Sequence, residues 1–227
     1  MDLRNLPSYG LSEAAHYIRI PQATLRSWTR GRRYPTASGF RQFRSVIQIP
    51  SLNETGLSFT NLVEAHVLSA IRREHLVRLD RVRDAIDYLQ KQFPSKHPLA
   101  DHNFETDGVD LFVEEYGQLI NVSRNGQLAM KQIIKVYLRR IERDRSGLPI
   151  RLYPFTRKAA ANEPKFVVID PQISFGRPVL AGTGIPTAII AERYKAGESM
   201  EELADDYSRG RMDIEEAIRC ELDVKAA

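Results

Sequence analysis

The sequence predicts a mainly α-helical protein with small β elements: an N-terminal winged helix-turn-helix, an α+β middle unit and a small C-terminal three-helix domain. Three observations carry this expectation. Apolar residues recur at i, i+3, i+4, i+7 spacing in most stretches between turn residues. Strand formers occur only in short runs beside Gly and Pro. Charge is divided along the chain: residues 1–53 hold 8 arginines and 2 acids, 94–165 hold 12 basic and 9 acidic residues, and 166–227 hold 7 basic and 12 acidic. The units expected are 1–93, 99–157 and 166–227. With 42% apolar and 27% charged residues, the 227-residue chain has enough apolar material to bury a core.

Leu11, Ala14, Ala15 and Ile18 mark a first amphipathic helix, with Ser8 or Ser12 as its cap. Pro21 opens a second at the first helical position, and Gly31 closes it. Pro35, Ser38 and Gly39 supply a turn between strand formers that include Phe40, Phe43, Val46 and Ile49, so a hairpin wing follows. After a polar turn at 51–56, a helix over 60–75 and another over 81–93, capped by Asp80, form a helical hairpin. Residues 94–98 read as a linker. The middle unit has strand-like runs at 109–113 and 119–122 with a turn near Gly117, a helix over 129–143 and a strand near 150–155. A second linker covers 158–165. The last unit is a strand at 166–169, a Gly/Pro-rich loop over 170–186, and helices over 187–196, 199–207 and 213–222 entered through Thr, Ser and Asp caps.

Leu25 and Trp28 form the rear of the second helix and leave Gln22, Arg26 and Ser27 outward. Gln can bond adenine bidentately and Arg can bond guanine, so these types suit base readout. Arg30, Arg32, Arg33, Arg41 and Arg44 are placed to grip phosphates on either side. The first fifty residues resemble the MerR-like winged-helix family. The resemblance rests on Leu11-Ser12-Glu13-Ala14-Ala15, on Thr24-Leu25-Arg26-Ser27-Trp28, and on Gly39-Phe40-Arg41-Gln42-Phe43, which is similar to that family's GYRxY wing. Arg19-Ile20-Pro21 departs from the small residues usual at the turn. The resemblance implies operator DNA as partner, with Thr24 joining the contact set.

The C-terminal loop does not fit a phosphate-binding GxxxxGK[ST] pattern, since no Lys follows Gly182. Ile169-Asp170-Pro171, Gly176-Arg177-Pro178-Val179, Gly182-Thr183-Gly184-Ile185-Pro186 and 197–207 resemble a bacterial domain family of unknown function with a GTRIP signature. Gly184 stands where that family carries Arg. Members look like antitoxins encoded beside PIN-like ribonuclease toxins, and the combination with an N-terminal helix-turn-helix resembles VapB-type antitoxins. The resemblance implies a toxin-binding role for Arg177, Glu201, Glu202, Asp205, Asp206 and Tyr207. The acids among them would meet phosphates with like charge, which agrees with a protein partner.

Other classes find little support. No apolar run reaches the roughly 20 residues of a membrane span, so the cytoplasm is expected. The histidines His16, His66, His75, His97 and His102 lack zinc-ligand spacing, and Cys220 sits among apolar neighbours, so neither metal nor cofactor is expected. The acid pairs Glu114-Glu115 and Asp205-Asp206 point to different sides of their elements and define no catalytic set, so the chain is not expected to be an enzyme. The leading expectation is a DNA-binding antitoxin acting as a homodimer, because one recognition helix reads too few bases. The alternative is a MerR-like, ligand-responsive transcription regulator without a toxin.

Overall fold

The structure, a computed structural model, describes residues 2–36, 39–50, 56–73, 79–120, 123–157 and 163–222. The expected positions Ser38, most of the 51–56 turn, the helix end at His75, the run's end at 121–122 and most of the 158–165 linker lie outside these. Among the described residues the protein is mainly helical with four two-stranded antiparallel sheets, and no helix is long and apolar enough to cross a membrane.

β1 (Tyr9–Gly10) leads into α1 (Leu11–Tyr17), and α2 (Gln22–Arg30) follows. The cap of α1 is supplied by Glu13, whose Oε2 accepts the Gly10 amide at 3.2 Å, and not by Ser8 or Ser12. Pro21, at ψ 135°, is still extended and precedes the first helical residue instead of being it. The wing is β2 (Arg32–Thr36) paired with β3 (Gly39–Phe43), Arg32 opposite Phe43. Gly31 joins α2 to the wing at φ 73°, and a Cβ there would overlap the Phe43 carbonyl oxygen, so both backbone sign and space demand glycine. Val46 and Ile49 lie beyond the strand. The amides of Val46 and Ile47 donate to the Trp28 carbonyl at 2.7 and 3.0 Å, which fastens the chain after the wing onto the end of α2. β4 (Gly56–Leu57) pairs with β1.

α3 (Phe59–Arg73) is buried at every residue from Phe59 to Ile71. Ser58 caps it: the Asn61 amide donates to Ser58 Oγ at 3.1 Å, and the Ser58 amide donates to Asn61 Oδ1 at 3.2 Å. α4 (Leu79–Gln92) carries Asp80 in its first turn, not as its cap. α5 (Val109–Ile120) and α6 (Arg124–Leu138) complete the helical layer. Among the described residues α3 packs chiefly on α6, and α4 on α5, in place of the expected α3–α4 hairpin.

The strand expected at 109–113 and the described part, 119–120, of the one expected at 119–122 belong to the single helix α5. Val109, Phe112, Val113 and Tyr116 fall at i, i+3, i+4, i+7, and all are buried against neighbouring helices. Gly117 makes no turn. It lies where the Gln127 side chain of α6 occupies the space of a Cβ. The helix expected over 129–143 ends at Leu138, and the chain enters a hairpin of β5 (Ile141–Arg143) and β6 (Pro149–Leu152).

One buried cluster extends from Tyr9 to Ile169 and includes Leu99 and Ala100, immediately after the 94–98 segment. The helix-turn-helix and the middle helices therefore share a core. Arg140, only 4% exposed, closes its far end. Its guanidinium donates to the carbonyls of Tyr153 (2.8 Å), Glu163 (2.6 Å), Pro154 (3.1 Å) and Pro164 (3.2 Å) and lies 4.8 Å from the Phe155 ring centroid.

β7 (Val167–Val168) pairs with β8 (Val179–Leu180), and Ile169 exchanges two backbone hydrogen bonds with Leu152 at 2.8 and 3.0 Å. The C-terminal helices α7 (Thr187–Lys195), α8 (Met200–Tyr207) and α9 (Arg211–Glu221) enclose a second cluster of Leu180, Ile190, Leu203, Ile214, Ala217 and Ile218. Of the three expected caps only Ser199 acts as one, in a capping box with Glu202; α7 and α9 begin after Pro186 and Gly210. Cys220 is buried, which pushes its thiol up to about 12. Buried Glu216 fixes this unit to the middle one by accepting from Arg157 Nε at 2.7 Å and from Thr156 Oγ1.

Glu64 is a carboxyl inside α3, with His97 Nδ1 2.9 Å and Asn61 Nδ2 3.3 Å from its Oε2. Burial raises its pKa, and the His97 and Asn61 contacts offset only part of the rise. A carboxyl raised on folding stabilises the native state at low pH and loses that contribution as pH climbs from the ordinary glutamate range through the folded value. Wild type is therefore expected to lose thermal stability over that interval, and Glu64→Gln to flatten the loss. Melting temperatures across the acid-to-neutral range check this; a variant that falls behind wild type as pH rises would mean that ionised pairing with His97 outweighs burial.

Candidate nucleic-acid interface

α2 is amphipathic in the sense a reading helix needs. Leu25 and Trp28 are fully buried against α1 and the core, and Thr29 Oγ1 donates back to the Leu25 carbonyl at 3.0 Å. Gln22, Arg26 and Arg30 stand exposed on one ridge at i, i+4, i+8, while Thr24 and Ser27 are half-buried beside it. Arg26, Arg30 and Arg32 have no ion pair among the described residues. Three unneutralised guanidinium groups at a helix and its adjoining strand form an electropositive edge able to meet phosphates or base edges.

The wing extends that edge. Arg32 and Arg33 are exposed on β2, and the Arg33 guanidinium lies 5.0 Å from the ring centroid of Phe40, itself 69% exposed. The pair is a cation–π contact at the wing tip that sequence spacing did not indicate, because the β2–β3 register sets it. Arg41 is in β3, and its side chain lies outside the described residues. Arg44 is highly exposed but pairs with Asp87 of α4 at 3.1 Å. Such an exposed pair is weak and exchangeable. Beneath the wing, buried Arg83 of α4 lies 5.1 Å from the Phe43 ring centroid, its pKa lowered by burial and by the nearby Arg44 charge.

The C-terminal unit sits on α1, away from the α2 ridge. Arg177 pairs with Glu13, whose Oε1 also accepts from Tyr17 Oη at 2.8 Å. His16 Nε2 donates to the Cys220 carbonyl at 2.9 Å, and Arg19 Nη2 donates to the Arg219 carbonyl at 2.6 Å. Arg177 is thus engaged at the helix-turn-helix, whereas the other five residues expected to bind a toxin lie on or beside α8. Glu201 pairs with Arg211 at 2.9 Å, Asp206 pairs with Arg193 at 2.7 Å, and the Tyr207 ring centroid is 5.1 Å from the Arg193 guanidinium. Hydrogen bonds from Ser199 hold the Glu202 carboxyl below its usual range, and Asp205 is exposed. The docking of α1 by residues so distant in sequence has no local signal.

A helix-turn-helix with a hairpin wing, an open arginine ridge and an appended three-helix unit defines a modular, DNA-binding type of protein. The comparisons agree at both ends: residues 7–86 match the family described as "Putative DNA-binding HTH domain", and residues 167–219 match "Protein of unknown function (DUF433)". A Mycobacterium tuberculosis protein described as "Putative antitoxin VapB45" is 34% identical over 227 residues, covering 91% of each chain, and the present chain belongs to its family. A second protein of that organism, "Uncharacterized protein Rv2308", is 26% identical over 219 residues, 92% of this chain and 88% of the relative. The crystal structure of Rv2018 from the same organism shares the fold, with a TM-score of 0.67 over 94% of this chain and 98% of the other at 24% identity. Two of these descriptions, a putative antitoxin and a putative DNA-binding domain, are regulatory ones.

Proposed function

We propose that this chain is a DNA-binding antitoxin that reads its operator through α2 in a MerR-like manner and neutralises a PIN-like ribonuclease toxin through its C-terminal region. The observation that carries the DNA half is the exposed Gln22–Arg26–Arg30 ridge, backed by fully buried Leu25 and Trp28. In this reading Gln22, Thr24, Arg26 and Ser27 face base edges, and Arg30, Arg32, Arg33, Arg41 and Arg44 position the duplex. The division of labour follows 1–93 for DNA, 99–157 as the connecting body and 166–227 for the toxin. A homodimer would place two ridges on paired half-sites.

The family's antitoxin description supports the toxin half, as does the excess of acids in residues 166–227, 12 against 7 basic, which disfavours a second DNA contact. Binding of the full chain to its own promoter, followed by fluorescence anisotropy against salt, tests the DNA half. Arg26→Ala is expected to cost about 1–3 kcal/mol on the specific site and little on random duplex, whereas Arg33→Ala weakens both and lowers the salt slope by about 1. An unchanged ratio of specific to nonspecific affinity in Arg26→Ala would remove α2 from base readout.

A further inference from the structure

Phe175 is 93% exposed, the most exposed large apolar side chain among the described residues. It is not on a loose loop. Ser174, Phe175 and Gly176 hold successive φ values of 47°, 54° and 78°, so two residues with side chains adopt the left-handed conformation in sequence. Each such residue is costly relative to the right-handed form, and such outliers persist only where surrounding contacts impose them. Those contacts are present. The Gly176 amide donates to the Ile173 carbonyl at 2.9 Å, and the Arg177 amide donates to the Ser174 carbonyl at 3.0 Å. Ser174 Oγ donates to the Gly184 carbonyl at 3.3 Å, Arg177 is pinned by Glu13, and buried Tyr9 packs over Gly176. The fold thus imposes an unfavourable backbone in order to hold a phenyl ring in water, where the ring contributes nothing to this chain's own stability.

We infer that this loop is a docking anchor, with Phe175 entering an apolar pocket on a neutral or basic partner protein. Rigid aromatic side chains are the usual centres of binding energy at protein interfaces, and a preformed loop avoids the ordering cost of binding. A duplex does not fit, since the unit that carries the loop has 12 acids against 7 basic residues. A second copy of this chain is also a poor match. Two of the large cavities, of about 570 and 510 Å3, are lined by charged groups such as Glu105, Arg143, Asp144 and Arg151, and a third, of about 560 Å3, combines Arg151 with Tyr153, Val168 and Ile173. The apolar recess beside Leu89, Phe93 and Phe104 has about 10 Å3, too little for a ring. None of these cavities is a wholly apolar seat for a ring, so we take the occupant to be a different protein. On the antitoxin reading, upon which this inference rests, that protein is the toxin, and the anchor is Phe175 in place of the α8 acids.

The experiment uses the full chain and the protein encoded by the adjoining open reading frame, with affinity measured by calorimetry. Phe175→Asn retains a residue that tolerates left-handed backbone while removing the ring. It is expected to weaken the complex on the order of 30- to 1,000-fold, with an unchanged melting temperature and unchanged promoter binding, while Phe175→Trp stays within about tenfold of wild type. Equal affinity of Phe175→Asn and wild type overturns the anchor and leaves the antitoxin reading intact. Absence of any complex with wild type overturns the antitoxin reading itself, and the anchor with it. Loss of self-association in Phe175→Asn, seen by sedimentation, assigns the loop to a second copy and also overturns the inference.

Discussion

Arg140→Ala is expected to destabilise the protein by about 3–5 kcal/mol, the scale on which removing one partner from a buried charged network acts. The guanidinium is the donor for four carbonyls, those of Tyr153, Pro154, Glu163 and Pro164. Truncation removes the donors and leaves acceptors without replacements, which costs more than the bonds themselves contribute. Burial lowers the Arg140 pKa, and among the described residues no side-chain acid forms an ion pair with it; carbonyl dipoles, the Phe155 face and the nearby Glu163 charge offset part of that cost. Arg140→Lys keeps the charge but offers one point of attachment where the fork has several, so most of the loss is expected there too. Chemical denaturation of the two variants checks this. A loss below about 1 kcal/mol in Arg140→Ala would mean that water replaces the guanidinium and that the 153–164 path is held by other contacts.

Trp28→Ala is the second large effect. Trp28 is fully buried, and truncating such a side chain costs about 3–5 kcal/mol through lost transfer energy and the cavity left behind. That is a substantial part of the roughly 5–15 kcal/mol available to a domain. The damage is also specific in place. The Trp28 carbonyl receives the amides of Val46 and Ile47, so a shifted helix end carries the wing with it. Promoter affinity is expected to fall even at temperatures where circular dichroism reports a folded chain. If affinity and fold are lost together, at the same denaturant concentration, the wing is not separately dependent on α2.

Much of the N-terminal site was legible because its signals are local. The 3.6-residue period separates Leu25 and Trp28 from Gln22, Arg26 and Arg30 whatever the rest of the chain does. The hairpin followed from turn residues near Gly39, although its register did not and the strand formers Val46 and Ile49 misled as to its length. In the middle unit, β-branched and aromatic residues at 109–113 suggested a strand, but Val109, Phe112, Val113 and Tyr116 also satisfy a helix. The surfaces of neighbouring helices, which local propensity does not include, select the helical reading. Likewise the acids of α8 read as an outward face, while Arg193 and Arg211 neutralise two of them.

By itself the sequence determined the mainly helical class, the charge division between the ends and the exposed face of α2, since composition and helical period are properties of neighbouring residues. Only the tertiary structure decided that α3 pairs with α6, that Arg177 reaches Glu13 and that Phe175 is left in water. These depend on segments far apart in the sequence meeting in one packing arrangement, and a side chain's burial is set by what arrives against it.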